Sequence, residues 1–282
     1  MEKILVVGAN GFIGKEVLSH FGDKAIGIDM VLAENVLVVD ITKKAELEKF
    51  FDENKISACI DFAGISVPLI CEEQKELTYK VNVEGQKNLL DECAKHCVDY
   101  YYSSTVRLYD SNSVIATEES QTKATNYYSK TKILAEKQVK DFYEKGKLKK
   151  AIIFRFSNTF GRDPNKERLL PTIISSLKNG SIELTNANTK FDMLYVKDIL
   201  VVIELAMKNV HGFEIFNVAS GEQLAMKEIA KKISSKLENN SRVIIKDENE
   251  IIHPTISIEK VSSLGFKPTR FETALGKIID FY

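Results

Sequence analysis

Apolar residues in the first half of the chain gather in short runs rich in Val and Ile, at 3–7, 25–28, 36–39, 58–62, 98–103 and 150–156. Runs of that length, bounded by turn residues, read as buried strands. Between them, near 12–20, 43–53, 73–96 and 127–145, apolar positions recur at helical spacing. Strands alternating with helices predict a parallel sheet covered on both faces. After residue 157 the rhythm loosens: a helix near 168–178, a segment near 191–196, a helix at 198–208, a strand at 214–218, and helices at 225–237 and near 271–281. This predicts two regions, 1–157 with 192–217 returning to it, and a smaller α/β region over 158–282. The second is expected to dock on the first around a cleft where strands end.

With 44% hydrophobic and 28% charged residues, the 282-residue chain can bury a full core, which excludes disordered and fibrous classes. Lys plus Arg number 39 against 40 Asp plus Glu, so no overall field draws nucleic acid or an anionic membrane. The first apolar run, Ile4 to Val7, leads straight into a glycine turn, unlike a signal peptide, and no stretch approaches the length of a membrane span. A cytoplasmic protein is expected. Cys59, Cys71, Cys93 and Cys97 form no C-x-x-C pair and fit a reducing compartment. Cys93, His96 and Cys97 can share a helix face, but nothing nearby completes a metal site, so ordinary packing is the expected role and no metal is predicted.

The turn after the first strand is Gly8-Ala9-Asn10-Gly11-Phe12-Ile13-Gly14, and it opens the first helix. Its glycines suit a tight turn, close backbone approach to a pyrophosphate, and close helix-on-strand packing, with the helix N-terminus facing phosphate. The spacing is G-x-x-G-x-x-G, and alone it is no more than a strand-to-helix turn. Asp29 strengthens it, ending the second strand 21 residues after Gly8, where a carboxylate binds ribose hydroxyls. A 2'-phosphate there meets like charge, and Met30-Val31-Leu32-Ala33 supplies no cation, so NAD is preferred over NADP. The alternative for Asp29 is a solvated turn residue. Asp40-Ile41, ending the third strand, either reaches the adenine edge or caps a helix. These features make the expected fold a Rossmann-type doubly wound sheet.

Tyr128 and Lys132 sit at i and i+4 in Tyr127-Tyr128-Ser129-Lys130-Thr131-Lys132, hence on one helix face. A phenol is a poor base near neutral pH, and a neighbouring ammonium favours its phenolate. The pair therefore suits proton transfer to and from a substrate hydroxyl. Tyr-x-x-x-Lys arises often by chance on helix surfaces. Here it follows Tyr102-Ser103-Ser104-Thr105, whose hydroxyls emerge at a strand end.

Together these stretches resemble the extended short-chain dehydrogenase/reductases, the family of NAD-dependent sugar-nucleotide epimerases, dehydratases and reductases. Further matching segments are Asp61 to Gly64, Asn82 to Leu90, Ser103 to Tyr109, Arg155 to Gly161, Asp192 to Asp198, Phe216 to Val218 and Leu264 to Pro268. Each is weak alone, and their order and spacing are specific.

The resemblance implies that Tyr128 is the acid/base, that Lys132 holds the nicotinamide ribose and tunes Tyr128, and that Thr105 bonds the reacting oxygen. It implies that Phe62, Ala63 and Gly64 pass under the cofactor, that Asn82 supports the site, and that Asn158 approaches a substrate diphosphate. A homodimer is also implied, through helices near 73–96 and 127–145. Leu77, Val81, Leu134 and Val139 either line that face or bury against the sheet.

Departures shape the functional reading. Thr105-Val106-Arg107 stands where dehydratases resemble Thr-Asp-Glu, which speaks against dehydration. Phe191-Asp192-Met193 stands where an arginine clamps a diphosphate, and the second arginine often found ahead of His253 is absent. Tyr109 is followed by Asp110 rather than glycine. Arg168, beside Leu169 in the expected substrate region, is a candidate replacement for the clamp. The leading reading is NAD-dependent epimerisation of a nucleotide-sugar at C4 through a transient ketone. The alternatives are a ketoreductase making a deoxysugar nucleotide, using NADH or NADPH, and a non-catalytic NAD-binding protein. An intact Thr105, Tyr128 and Lys132 set argues against the last.

Overall fold

The computed structural model describes residues 2–110, 114–163, 165, 168–237 and 239–282. In chain order its elements are β1 (Lys3–Val7), α1 (Phe12–Phe21), β2 (Ala25–Asp29), β3 (Val36–Val38), α2 (Lys44–Glu53), β4 (Ile56–Asp61), α3 (Pro68–Glu73), α4 (Lys75–Tyr79), α5 (Gln86–Lys95) and β5 (Asp99–Thr105). There follow β6 (Ile115–Ala116), α6 (Tyr127–Glu144), β7 (Ala151–Phe156), β8 (Asn158–Phe160), α7 (Leu169–Lys178), β9 (Ser181–Leu184), β10 (Lys190–Tyr195), α8 (Val196–Asn209) and β11 (Phe213–Val218). The chain ends with β12 (Gln223–Ala225), α9 (Met226–Leu237), β13 (Arg242–Ile245), β14 (Thr255–Ile256), α10 (Glu259–Ser263) and α11 (Phe271–Ile278). Two compact units result. One holds Met1–Asp110, Gln121–Arg155 and Ile203–Phe216; the other holds Ser111–Ser120, Phe156–Val202 and Asn217–Tyr282.

The first unit is built on a seven-stranded sheet in the order β11-β7-β5-β4-β1-β2-β3. The pairs from β3 through β5 run parallel. Strand order reverses beside β1, which makes the ends of β1 and β4 a topological switch point. Both sheet faces are covered, as the continuous apolar strands require: Leu5 and Val7 join a core with Leu47, Phe51, Leu89 and Ala135, while the alternate Val6 is buried on the other face. Val139 lies in this core, and Val81, partly buried, packs against it. Leu77, in contrast, is 45% exposed.

The single helix predicted near 73–96 is broken. α4 passes through a π-helical turn at Lys80–Gly85 before α5 begins. A π turn inserts an extra residue and re-aims a side chain. Here it carries the buried Asn82.

The second unit contains a three-stranded sheet, β12-β10-β8, and the pairs β13-β9 and β14-β6. Most of these strands are two to four residues long. Segments that short carry no readable period, which is why the sequence pattern loosens there.

Candidate active site

The glycine turn lies at the switch point. Gly8 has φ +72°, and a Cβ there would stand 2.9 Å from the Ala63 nitrogen and the Phe62 carbonyl carbon. A Cβ on Gly14 would fall 2.1 Å from the Gly8 oxygen, so helix α1 can seat on the turn only through glycine. Phe12 and Ile13 form the first turn of α1, which starts at Gly11 with no side-chain cap. A helix start of this kind suits an anion, and the turn meets the needs of a dinucleotide pyrophosphate. Asp29 ends β2 beside it; one carboxylate oxygen accepts the Asn10 N–H and the other the Val31 N–H, each at 3.1 Å. The following Met30, Val31 and Leu32 are exposed and uncharged. Asp40 accepts from the Thr42 N–H and hydroxyl at 2.9 and 2.8 Å, a turn at the approach to α2. Ile41 is buried, and its carbonyl receives the Asn88 amide at 3.0 Å.

Helix α6 begins with a reciprocal cap: Asn126 accepts the Ser129 N–H at 2.8 Å, and the Ser129 hydroxyl oxygen accepts the Asn126 N–H at 3.2 Å. This fixes the first turn, and with it Tyr128, which is 9% exposed. One turn on, Lys132 is 5% exposed; its ammonium donates to the Ser103 carbonyl at 2.8 Å and to the Tyr102 hydroxyl oxygen at 3.2 Å. Burial pushes its pKa down to about 8, against the opposing pull of Asp61, Glu136 and Cys71. Thr105 closes β5 and is 7% exposed. Its oxygen accepts the Arg107 N–H at 3.2 Å, capping the turn that starts at Val106. That contact uses a lone pair and leaves the hydroxyl proton to donate.

Asn82 braces the loop after β4. Its Oδ1 accepts the Ile65 N–H at 2.8 Å, and its Nδ2 donates to the Ile65 carbonyl at 3.0 Å and the Thr131 hydroxyl at 3.1 Å. The loop of Phe62, Ala63 and Gly64 is thereby tied to the helix bearing Lys132. Gly64 has φ +152°, and a Cβ there would sit 3.1 Å from Asn82 Oδ1 and 3.8 Å from Lys132 Nζ. Thus Gly8 to Gly14, Phe62 to Gly64, Asn82, Thr105, Tyr128 and Lys132 all belong to the first unit.

Of the residues expected on the substrate side, Thr105 and Val106 belong to the first unit and Asn158, Arg168 and Leu169 to the second. Asn158, Arg168 and Leu169 line a small recess there with Phe160, Met193 and Tyr282. Asn158 donates to the Asp192 carbonyl at 3.1 Å, and Arg168 is ion-paired with Asp163 at 2.9 Å. Phe191 rests against His253 with ring centroids 6.0 Å apart.

Sequence reading passed over the polar layer behind Lys132. Tyr100 and Tyr102 alternate along β5 and stack on one face, 6.5 Å apart. Tyr100 donates to Asp61 at 2.5 Å, and Asp61 also accepts the Ala63 N–H at 2.9 Å. Burial raises the Asp61 pKa, an effect that the Tyr100 bond and Lys132 oppose. A central strand reading Tyr-Tyr-Tyr was the available signal, because a buried phenol needs a polar partner. Among the described residues no group of His, Cys, Asp and Glu is placed to hold a metal, and Cys93 is buried in the core while Cys97 is exposed.

The model of the NAD dependent epimerase/dehydratase family matches residues 4–219. UDP-glucose 4-epimerase 2 of Arabidopsis thaliana is 27% identical over 216 residues, covering 68% of this chain and 62% of that protein. The chain therefore spans less than two thirds of that relative. A decarboxylating sterol-4-alpha-carboxylate 3-dehydrogenase of Schizosaccharomyces pombe is 26% identical over 260 residues, covering 83% of this chain and 74% of the relative. The crystal structure of a UDP-glucose 4-epimerase with UDP-glucose from Thermotoga maritima superposes with a TM-score of 0.90, at 21% identity and over 99% of this chain and 98% of that one, which shows a shared fold. The family match takes in the glycine turn, the Tyr-Lys helix and Asn217, and the chain belongs to the NAD dependent epimerase/dehydratase family.

Proposed function

We propose that this protein epimerises a nucleotide-sugar at C4 through a transient ketone. The observation that carries the reading is that Tyr128 and Lys132, both buried, lie one turn apart on α6, and that Lys132 reaches the Ser103 carbonyl at 2.8 Å, two residues before the buried Thr105, in the unit that bears the glycine turn. NAD, when bound, supplies the acceptor and then the donor of a hydride. Gly8, Gly11 and Gly14 would take its pyrophosphate, Asp29 its adenosine ribose, and Phe62 to Gly64 would pass beneath it. The Tyr128 phenolate oxygen takes the proton from the sugar hydroxyl, becoming a neutral phenol, and later returns it. Thr105 donates to the same oxygen and aligns it. Lys132 keeps a positive charge beside the phenol, and Asn82 holds the loop and helix that frame it.

Asn158 is the proposed contact to the substrate diphosphate. Arg168 brings a charge already shared with Asp163, a weaker clamp than an unpaired guanidinium. One observation favours the second reading, a ketoreductase acting on a deoxysugar nucleotide or smaller substrate: Phe191, packed on His253, places an aromatic pair where a diphosphate clamp would otherwise stand. Purified protein should be denatured to identify any released nucleotide, and the native protein incubated with a panel of nucleotide-sugars. Epimerisation with retained NAD and no net redox change supports the first reading; stoichiometric consumption of NADH or NADPH supports the second and removes the first.

The Asp29 assignment predicts a cofactor effect. Asp29→Ala is expected to weaken NAD roughly tenfold or more, through loss of a charged hydrogen bond, and to narrow the gap to NADP. Calorimetry with both nucleotides checks this, and tighter NADP binding by the unaltered protein would remove the assignment. A homodimer is proposed through the exposed part of α4 around Leu77, and a monomer mass by light scattering at micromolar protein would end that proposal.

A further inference from the structure

We propose that Tyr102 is a positioning residue for Lys132: its phenol oxygen and the Ser103 carbonyl together fix where the amine sits and serve it in both protonation states. The inference rests on the reading of Tyr128 and Lys132 as the acid/base pair, and goes beyond it to a side chain outside that pair.

Tyr102 lies in the centre of the sheet, 1% exposed, in register with Asp61 on the neighbouring strand. Lys132 Nζ is 3.2 Å from its hydroxyl oxygen and 4.7 Å from its ring centroid, so the oxygen is the nearer of the two contacts this ring offers the ammonium. A buried ammonium with too few acceptors is costly, and Lys132 has two, one of them this oxygen. Burial holds the Tyr102 pKa well above the usual phenol value, with further pushes from Asp61, Tyr128 and Glu136, so Tyr102 stays a neutral phenol across the working range. A neutral phenol is both acceptor and donor. It accepts from the Lys132 ammonium and, when Lys132 has lost its proton, can donate to the amine. The Ser103 carbonyl can do only the first. The carboxylates and thiol that act on Lys132 are Asp61 from β4, Cys71 from α3 and Glu136 from its own helix, and the titratable Tyr128 lies one turn before it on that helix. Asp61 is itself held by Tyr100 and the Ala63 N–H, so its charge is fixed in place and Tyr102 is the adjustable member of the layer.

The test uses the full chain and Tyr102→Phe, which removes one oxygen and keeps the buried ring. With 13C-labelled lysine, and Lys132→Met to assign the signal, the Lys132 Cε resonance is titrated without added cofactor. The ammonium loses a charge-assisted bond and the amine only a weaker neutral one, so the midpoint should fall, by roughly half a pH unit to one unit. In the NAD-loaded protein the alkaline limb of the pH–rate profile should fall by the same amount while KM stays constant. An unmoved Lys132 titration in folded Tyr102→Phe would overturn the inference. In the unaltered protein, a nuclear Overhauser contact between the Tyr102 ring and the Lys132 ε-methylene is expected, and its absence would also overturn it, whether or not the variant folds. Full activity in Tyr128→Phe would instead remove the underlying catalytic reading while leaving the Lys132 titration result intact.

Discussion

Tyr128→Phe is expected to lower turnover roughly 10²–10⁴-fold while substrate and cofactor binding survive. The substitution keeps a buried ring on a helix whose start is held by the Asn126–Ser129 cap, so the fold around it has no reason to move. What it removes is the hydroxyl proposed to exchange a proton with the substrate oxygen. Lys132→Met acts at a distance of one turn and removes the charge that favours the phenolate. Burial brings the Lys132 pKa down to about 8, with Asp61, Glu136 and Cys71 pulling the other way. The sign follows: as pH rises through about 8, Lys132 loses its proton, support for the phenolate goes, and activity falls. Single-turnover measurements with the true substrate across pH 6–10 check both statements. Near-equal chemistry rates for Tyr128→Phe and unaltered protein would sink the mechanism.

How much of this was legible without coordinates depends on the range of each interaction. The glycine turn, Asp29 and the Tyr128–Lys132 pair are local patterns, set by neighbours within one turn or one strand-helix unit. Periodicity reveals such patterns. Asp61, Tyr100 and Tyr102 were visible as residues but not as a layer, because their pairing depends on β4 and β5 lying side by side, 39 residues apart at the Asp61–Tyr100 bond. The break in the helix near 73–96 was hidden for a different reason. Lys80 to Gly85 contains no proline and keeps its apolar spacing, and the π turn is favoured by tertiary bonds from Asn82 to Ile65 and Thr131. In the second unit the strands β9, β12, β13 and β14 are too short to carry a period at all.

The same long-range logic predicts a large cost to the fold from losing Arg155. It is 4% exposed in β7 and makes a two-point contact with Glu136, Nε to Oε1 at 3.0 Å and Nη2 to Oε2 at 2.7 Å. Burial works against the guanidinium charge, and the Glu136 and Tyr109 bonds outweigh it, so its pKa is raised. Glu136 in turn accepts from the Ser104 hydroxyl at 2.5 Å. Ser104 adjoins Thr105, and Glu136 lies one turn beyond Lys132, so this bridge ties the strand end carrying Thr105 to the helix carrying Tyr128. Arg155→Met leaves the Glu136 carboxylate buried without its cation, a loss of roughly 3–5 kcal/mol. In a chain of this size that corresponds to a fall in Tm of roughly 5–8 °C. Removing both charges is different, because a neutral pair of similar volume has no stranded ion. Arg155→Met combined with Glu136→Gln should therefore recover much of the lost Tm, with the amide oxygen still accepting from Ser104. Activity at a temperature where both variants are folded separates stability from alignment: the single variant is expected to turn over more slowly than the double. Thermal unfolding followed by calorimetry decides the matter, and a double variant no more stable than Arg155→Met alone would show that the cost lies in lost packing rather than in the stranded carboxylate.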